Sequence, residues 1–195
     1  MTDARLERWL DDLVSTPGLT SVRDTGEARR VHLDGSLAAC ETVRELGGAV
    51  VDVGSGGGSP GIPLAAALPE LEFTLLEASA RKCGFLERVA AEFPNVHVLR
   101  GRAEEQAPER YRVALARALA QPPVAAELCL PLVAAGGAAV LYVGPTADAA
   151  AVAAVAMRLN AELEERGALY VLRKLGPTPP GFPRRPGIAK KRPLA

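Results

Sequence analysis

The chain has 195 residues, 48% of them apolar, with 23 basic and 23 acidic residues and no formal net charge. That length supports one well-buried domain, residues 1–195, and argues against a second. No stretch approaches the roughly 18 uncharged apolar residues of a membrane span, and Met1-Thr2-Asp3-Ala4-Arg5 lacks the basic-then-apolar start of a secretion signal, so no membrane association and a cytoplasmic location are expected. Cys40, Cys83 and Cys129 are odd in number and far apart, which points to reduced thiols and to neither a disulfide framework nor a metal site.

Leu6, Trp9, Leu10 and Leu13 have helical spacing and predict an amphipathic helix over 3–14. Val31, Leu37, Cys40, Val43 and Leu46 predict a second over 26–46, and together these form a helical cap over residues 1–46. Val50-Val51-Asp52-Val53 then reads as a buried strand. It breaks into Gly54-Ser55-Gly56-Gly57-Gly58-Ser59-Pro60, where alternating glycines let backbone approach a ligand that a Cβ would exclude. Pro60 and Pro63 suit the first turn of a helix, expected over 62–68.

Two cofactors compete for such a loop. Gly56, Gly58 and Gly61 match the G-x-G-x-x-G dinucleotide spacing, in which a pyrophosphate sits on a helix start. S-adenosylmethionine instead presents an ammonium, a carboxylate and a sulfonium. Asp52 at the strand end suits the ammonium and the backbone from Gly54 through Ser55, Gly56 and Gly58 the methionine moiety, so D-x-G-x-G-x-G favours the methyl donor.

A second strand over 72–77 ends in Glu77, 21 positions beyond Gly56, the spacing of one βαβ crossover. A carboxylate there can accept from both ribose hydroxyls, with Ala78 beside it. A helix over 80–92 carries Arg81 and Lys82 near its start, and Val96-His97-Val98-Leu99 is a third strand. Arg100-Gly101-Arg102-Ala103-Glu104-Glu105 follows where a doubly wound fold meets the adenine ring, with the Ala103 backbone and Glu104 as candidate readers of its edge. A fourth strand over 111–116 runs into Arg117, a guanidinium in an apolar stretch that needs a carboxylate, phosphate or base edge as partner.

Residues 122–135 read as mostly helical and 138–143 as a fifth strand. After a helix over 146–159, Glu165-Arg166-Gly167 leads straight into 168–175. A connection that short permits an antiparallel hairpin but no crossover, while one helix continuing through Glu165 is the alternative. The rhythm is that of a Rossmann-like α/β fold with a largely parallel sheet and an antiparallel last strand, as in S-adenosylmethionine-dependent methyltransferases. Beyond Gly176 prolines are dense, predicting an extended, mobile tail over 176–195.

Charge is segregated: residues 167–195 hold seven bases and no acid, leaving 16 bases against 23 acids before them. Arg184, Arg185, Lys190, Lys191 and Arg192, with Arg81 and Lys82, are therefore candidates for phosphate contacts. Gln121-Pro122-Pro123-Val124 falls short of an amino-methyltransferase motif because it lacks the stacking aromatic. Cys129 lies inside an apolar helix without a flanking proline, which argues against cytosine-C5 chemistry, and His32 reads as structural.

Several of these segments together are similar to one family. The loop Asp52-Val53-Gly54-Ser55-Gly56-Gly57-Gly58-Ser59-Pro60-Gly61-Ile62-Pro63-Leu64, the segment 75–86, Gly101-Arg102-Ala103-Glu104, Ala116-Arg117-Ala118 and the terminal Phe182-Pro183-Arg184-Arg185-Pro186-Gly187-Ile188-Ala189-Lys190-Lys191-Arg192-Pro193-Leu194 resemble the RsmG (GidB) family of bacterial 16S ribosomal RNA guanine-N7 methyltransferases. The resemblance covers the chain from about Leu19 onward. It implies S-adenosylmethionine as cofactor and methylation of a guanine in the 530 loop of 16S rRNA, presented by the small ribosomal subunit or its assembly intermediate to a monomeric enzyme. Arg117 and Arg102 would then position the substrate or hold the cofactor carboxylate. The chain departs from the family pattern at Gly35, where an acid or amide is common, and after the fifth strand, where Val143 or Gly144 replaces a usual lysine. The rival readings are a small-molecule or other-RNA methyltransferase, an RNA-binding assembly protein with a vestigial pocket, and a nicotinamide-dependent oxidoreductase, which would lack an evident hydride-transfer acid.

Overall fold

Runs of alternately facing apolar residues build a twisted sheet covered on both sides. The computed structural model describes residues 3–195. The helices are α1 (Ala4–Ser15), α2 (Thr25–Ala28), α3 (Cys40–Leu46), α4 (Gly61–Ala67), α5 (Ala80–Ala90), α6 (Pro122–Cys129), α7 (Ala149–Arg158) and α8 (Ile188–Lys191). The strands are β1 (Val50–Val53), β2 (Phe73–Glu77), β3 (Val96–Arg100), β4 (Tyr111–Arg117), β5 (Val133–Tyr142), β6 (Ala161–Arg166) and β7 (Leu169–Lys174), in the spatial order β3-β2-β1-β4-β5-β7-β6. β1 pairs in parallel with both β2 and β4, so the chain reverses direction of travel across the sheet beside β1, where open α/β folds place their ligands.

Strand parity divides the core. Val50, Val113, Leu115 and Val140 face α1, α4 and α5, whereas Val51, Ala114, Ala116, Ala139 and Leu141 face α6 and α7. Within the first layer Trp9, Leu10 and Leu13 are buried, and each such side chain stabilises the fold by about 1.5–3 kcal/mol relative to exposure. α1 starts on Asp3, whose side chain accepts from the Arg5 N–H at 2.9 Å.

The hairpin expected at Glu165-Arg166-Gly167 forms: β6 and β7 pair antiparallel, and β7 inserts antiparallel beside β5. Three expectations are corrected. The helix over 26–46 is broken: after α2 the chain widens into a π-type turn at Arg29–Asp34 and tightens into a 3₁₀ turn at Ser36–Ala39 before α3. The segment 122–135 is helical as expected up to Leu132, tightening from α6 into a 3₁₀ turn at Leu130–Leu132 around Pro131, but its last three residues open β5, which begins at Val133. The tail is folded onto the body instead of extending from it: Asn160 Nδ2 donates to Pro177 O at 2.7 Å, and buried Lys174 donates to Thr178 Oγ1 at 3.0 Å. Its prolines limit the tail's freedom, and polar contacts fix its course. Among the described residues no helix is long and apolar enough to cross a membrane.

Candidate functional site

The C-terminal ends of β1, β2 and β4 open onto contiguous cavities. The first, of about 350 Å³, is lined by Gly54, Glu77, Ala78, Arg102, Ala103, Glu104 and apolar Leu119, Val124 and Leu128. The second, of about 240 Å³, is lined by Leu13, Leu19, His32, Gly54, Ser55, Gly56, Ser59 and Arg117. They share Gly54, Lys82 and Ala118. A third, of about 460 Å³, is lined by Arg117, Ala118, Tyr142, Gly35, Val143 and Gly144, so the positions that depart from the family pattern share a cavity with Arg117.

Glu77 sits on the floor of the first cavity, 8% exposed. One carboxylate oxygen accepts the Gly56 N–H at 3.0 Å and the other the Ser79 N–H at 2.8 Å. These backbone donors fix the carboxylate's plane while leaving each oxygen further lone pairs, the arrangement a vicinal diol requires. Glu77 therefore joins the glycine loop to the end of β2.

Asp52 is placed differently from what the sequence suggests. Its parity along β1 sends the carboxylate toward α4, where it is 1% exposed and accepts the Gly61 N–H at 3.1 Å, and it lines neither of the two inner cavities. Burial pushes its pKa up to about 7, against the hydrogen bond from Gly61, which lowers it. Gly61 belongs to the same close packing, since a Cβ there would meet Leu75 and come within 2.8 Å of Asp52 Oδ2. Asp52 thus fastens the loop's exit, and Pro60 lies buried at the start of α4.

The loop is also braced from behind. Trp9 Nε1 donates to Gly57 O at 2.8 Å, and a Cβ on Gly57 would collide with Leu13. Glycine at 57 is thus required by the packing of α1. The lone tryptophan is legible as core but not as a support for the loop, because nothing in helical spacing says which backbone a buried indole N–H will find.

Arg117 lies in the second cavity. Its guanidinium donates to Ser36 Oγ at 3.2 Å and Ser59 Oγ at 3.1 Å and lies over the Tyr142 ring, 5.6 Å from its centroid. Among the described residues it has no carboxylate partner within ion-pair distance. Burial lowers its pKa, but a guanidinium is not deprotonated in proteins, so Arg117 is a cation partly removed from water. The ion pair that the sequence leaves open as its bland role is absent among these residues. Ser36, Ser59 and Tyr142 are not singled out by the sequence, as serine and tyrosine carry no periodic signal.

His32, expected to be structural, lines the second cavity and shares a hydrogen bond with Thr20 Oγ1 at 2.8 Å. Burial first and the Arg117 charge second lower its pKa from 6.5, which keeps the ring neutral near pH 7. Ala118, which separates Arg117 from the first cavity, has φ of 53°, a left-handed conformation that costs a non-glycine residue on the order of 1 kcal/mol. Cys129 is fully buried, and burial pushes its thiol pKa far up, leaving it inert.

The basic candidates separate into two groups. Arg185, Lys190, Lys191 and Arg192 are exposed on the tail, and Lys82 lines both inner cavities. Arg81 is exposed and donates to Pro17 O at 2.8 Å. Arg184 is not available in the same way: its Nε and Nη2 donate to the two oxygens of buried Glu127, each at 2.6 Å. Glu104, the candidate adenine reader, accepts the Gly187 N–H at 2.9 Å with Oε1. Arg102 is exposed at the mouth of the first cavity, away from Arg117.

Comparison with known proteins agrees with this geometry. Solved structures similar in fold include an O-methyltransferase from neocarzinostatin biosynthesis in complex with S-adenosylmethionine (TM-score 0.62, 17% identity, 75% of this chain and 54% of that one). Another is the precorrin-6y C5,15-methyltransferase of Geobacter metallireducens GS-15 (TM-score 0.54, 15% identity, 83% and 93%). Curated relatives named ribosomal RNA small subunit methyltransferase G include that of Chloroflexus aggregans, 35% identical over 98% of this chain and 90% of its own. That of Rubrobacter xylanophilus is 41% identical over 89% and 77%. The family model for rRNA small subunit methyltransferase G (GidB) matches residues 5–165, and with these relatives it shows that the chain belongs to that family.

Proposed function

We propose that the protein transfers a methyl group from S-adenosylmethionine to N7 of a guanine in the 530 loop of 16S rRNA, acting as a single methyltransferase domain over residues 1–195. The observation that carries this reading is the junction at Gly54 and Ala118, where a cavity floored by Glu77 meets one holding a carboxylate-free Arg117. S-adenosylmethionine supplies a sulfonium methyl, an electrophile that the N7 lone pair of neutral guanine takes in line without prior loss of a proton.

The chain's residues fit that donor. Glu77 would accept the ribose hydroxyls, with Leu119, Val124 and Leu128 as apolar walls for the adenine. The backbone at Gly54, Ser55 and Gly56 would pass along the methionine moiety. Asp52 acts on it indirectly, by holding the loop to α4. Arg117 would take a phosphate or base oxygen beside the target, and Arg102 the rim. The task is alignment, and orientation of two bound reactants is a large source of rate enhancement. As methylation moves positive charge from sulfur to the purine, a neutral His32 adds no opposing charge at the cavity wall.

Lys82, Arg81 and the tail cations would meet the RNA backbone, making binding fall with salt. The test is transfer of labelled methyl from S-adenosylmethionine into small ribosomal subunits from cells lacking this modification, followed by mapping of the modified base. Label at a single guanine N7 of the 530 loop is expected. Label in another base, or donor binding without transfer, would overturn the proposal.

A further inference from the structure

Glu127 is the one acid of α6, 3% exposed in a helix that otherwise buries Val124, Ala125, Ala126 and Cys129. A carboxylate so placed is costly unless its partner is well fixed. Its partner lies 57 residues on: Arg184 engages both its oxygens with a planar fork. The same Arg184 Nη2 also donates to Arg192 O at 2.8 Å, closing residues 184–192 into a loop. Inside that loop the Gly187 N–H reaches Glu104, Ala189 is 3% exposed, and Gly187, Ala189 and Lys190 line the first cavity together with Glu77. The outward side of the loop carries exposed Arg185, Lys191 and Arg192.

We propose that Glu127 and Arg184 are positioning residues for the methyl donor. Their ion pair clasps residues 187–190 in place as the wall of the adenosine cavity, so donor affinity depends on a contact that does not itself touch the donor. This rests on the reading of the first cavity as the donor site. It gives Arg184 a role different from that of its basic neighbours, which keep their charges free on the outer face. It also explains why Glu104 meets the tail: the Gly187 N–H fixes the carboxylate at the cavity rim, and a displaced tail would leave it without that donor.

The probe is S-adenosylhomocysteine, titrated by calorimetry into the full chain as wild type, Arg184→Lys and the paired Glu127→Gln/Arg184→Gln. Arg184→Lys keeps the charge and loses the fork, and the pair removes both charges, so neither leaves a buried acid unpartnered. Both variants are expected to bind about tenfold more weakly. The KM for S-adenosylmethionine should rise in proportion while kcat at saturating donor stays near wild type, and amide hydrogen exchange at 187–191 should quicken. Unchanged affinity in both variants, with wild type binding normally, overturns the clasp alone. No binding to wild type overturns the donor-site reading and the clasp with it. Loss of kcat without change in KM also overturns the clasp, since it would place these residues in turnover.

Discussion

Glu77 and Arg117 stand at the ends of β2 and β4, on either side of β1, yet they are assembled in opposite ways. Glu77 is held by backbone N–H groups 21 and 2 residues away, inside a single βαβ unit. Arg117 is held by hydroxyls 58 and 81 residues away and by the ring of Tyr142, so it is placed only when the glycine loop, the 3₁₀ turn at Ser36–Ala39 and β5 have all come together. The acid that would take the ribose is therefore fixed by local backbone, and the cation on the target side by distant side chains. The two should fail separately.

The largest effect is expected from Arg117→Ala, which removes a partly desolvated cation from the target side. Turnover on small ribosomal subunits should fall about a hundredfold, near 2.7 kcal/mol, while the calorimetric affinity for S-adenosylhomocysteine changes less than about threefold. Glu77→Gln should do the reverse. Replacing a charged acceptor of two hydroxyls costs about 2 kcal/mol, roughly thirtyfold in donor Kd, with turnover at saturating donor less affected. If both variants shifted donor affinity equally, the division between the two sides would be broken.

Asp52 offers a pH test of its structural role. Its folded pKa of about 7 lies above the usual 3.8, so the folded state retains a proton that the unfolded state has lost. Its contribution to stability is full below the unfolded value and declines as pH rises to about 7, by at most about 1.4 kcal/mol per unit. Asp52→Asn should remove that decline, seen as a wild-type-minus-variant difference in urea unfolding that changes between pH 4 and 7 and is level above. A difference independent of pH would place Asp52 in water and not against α4. The smallest effect on donor binding belongs to Trp9→Phe, which deletes the hydrogen bond to Gly57 O and leaves a smaller ring in the buried indole's place. About 1–3 kcal/mol of stability should be lost by the same unfolding assay, from the missing bond and the space left behind, with a donor affinity weakened a few-fold at most.

The same contrast explains what the sequence discloses. The β-branched run ending at Val53, the alternating glycines and the acid one crossover later obey spacing rules, so the strand, the loop and Glu77 are legible in the chain itself. The hairpin at Glu165-Arg166-Gly167 is legible from its length alone. Asp52 is legible as an acid at a strand end, but its direction is not, since that follows from which face of β1 lies under α4. Composition marks the tail as basic and proline-rich but does not show that Arg184 finds Glu127 or that Gly187 finds Glu104, because those pairings cross 57 and 83 residues. The serines and tyrosine around Arg117 are hidden in the sequence for the same reason.

A crystal structure of the full chain with S-adenosylhomocysteine would show where each part of the donor lies. The ribose hydroxyls are expected on the Glu77 carboxylate, the adenine between Ala103 and Val124, and the sulfur at the junction of Gly54 and Ala118, facing the Arg117 cavity. Ribose away from Glu77, or a sulfur directed away from Arg117, would contradict that placement.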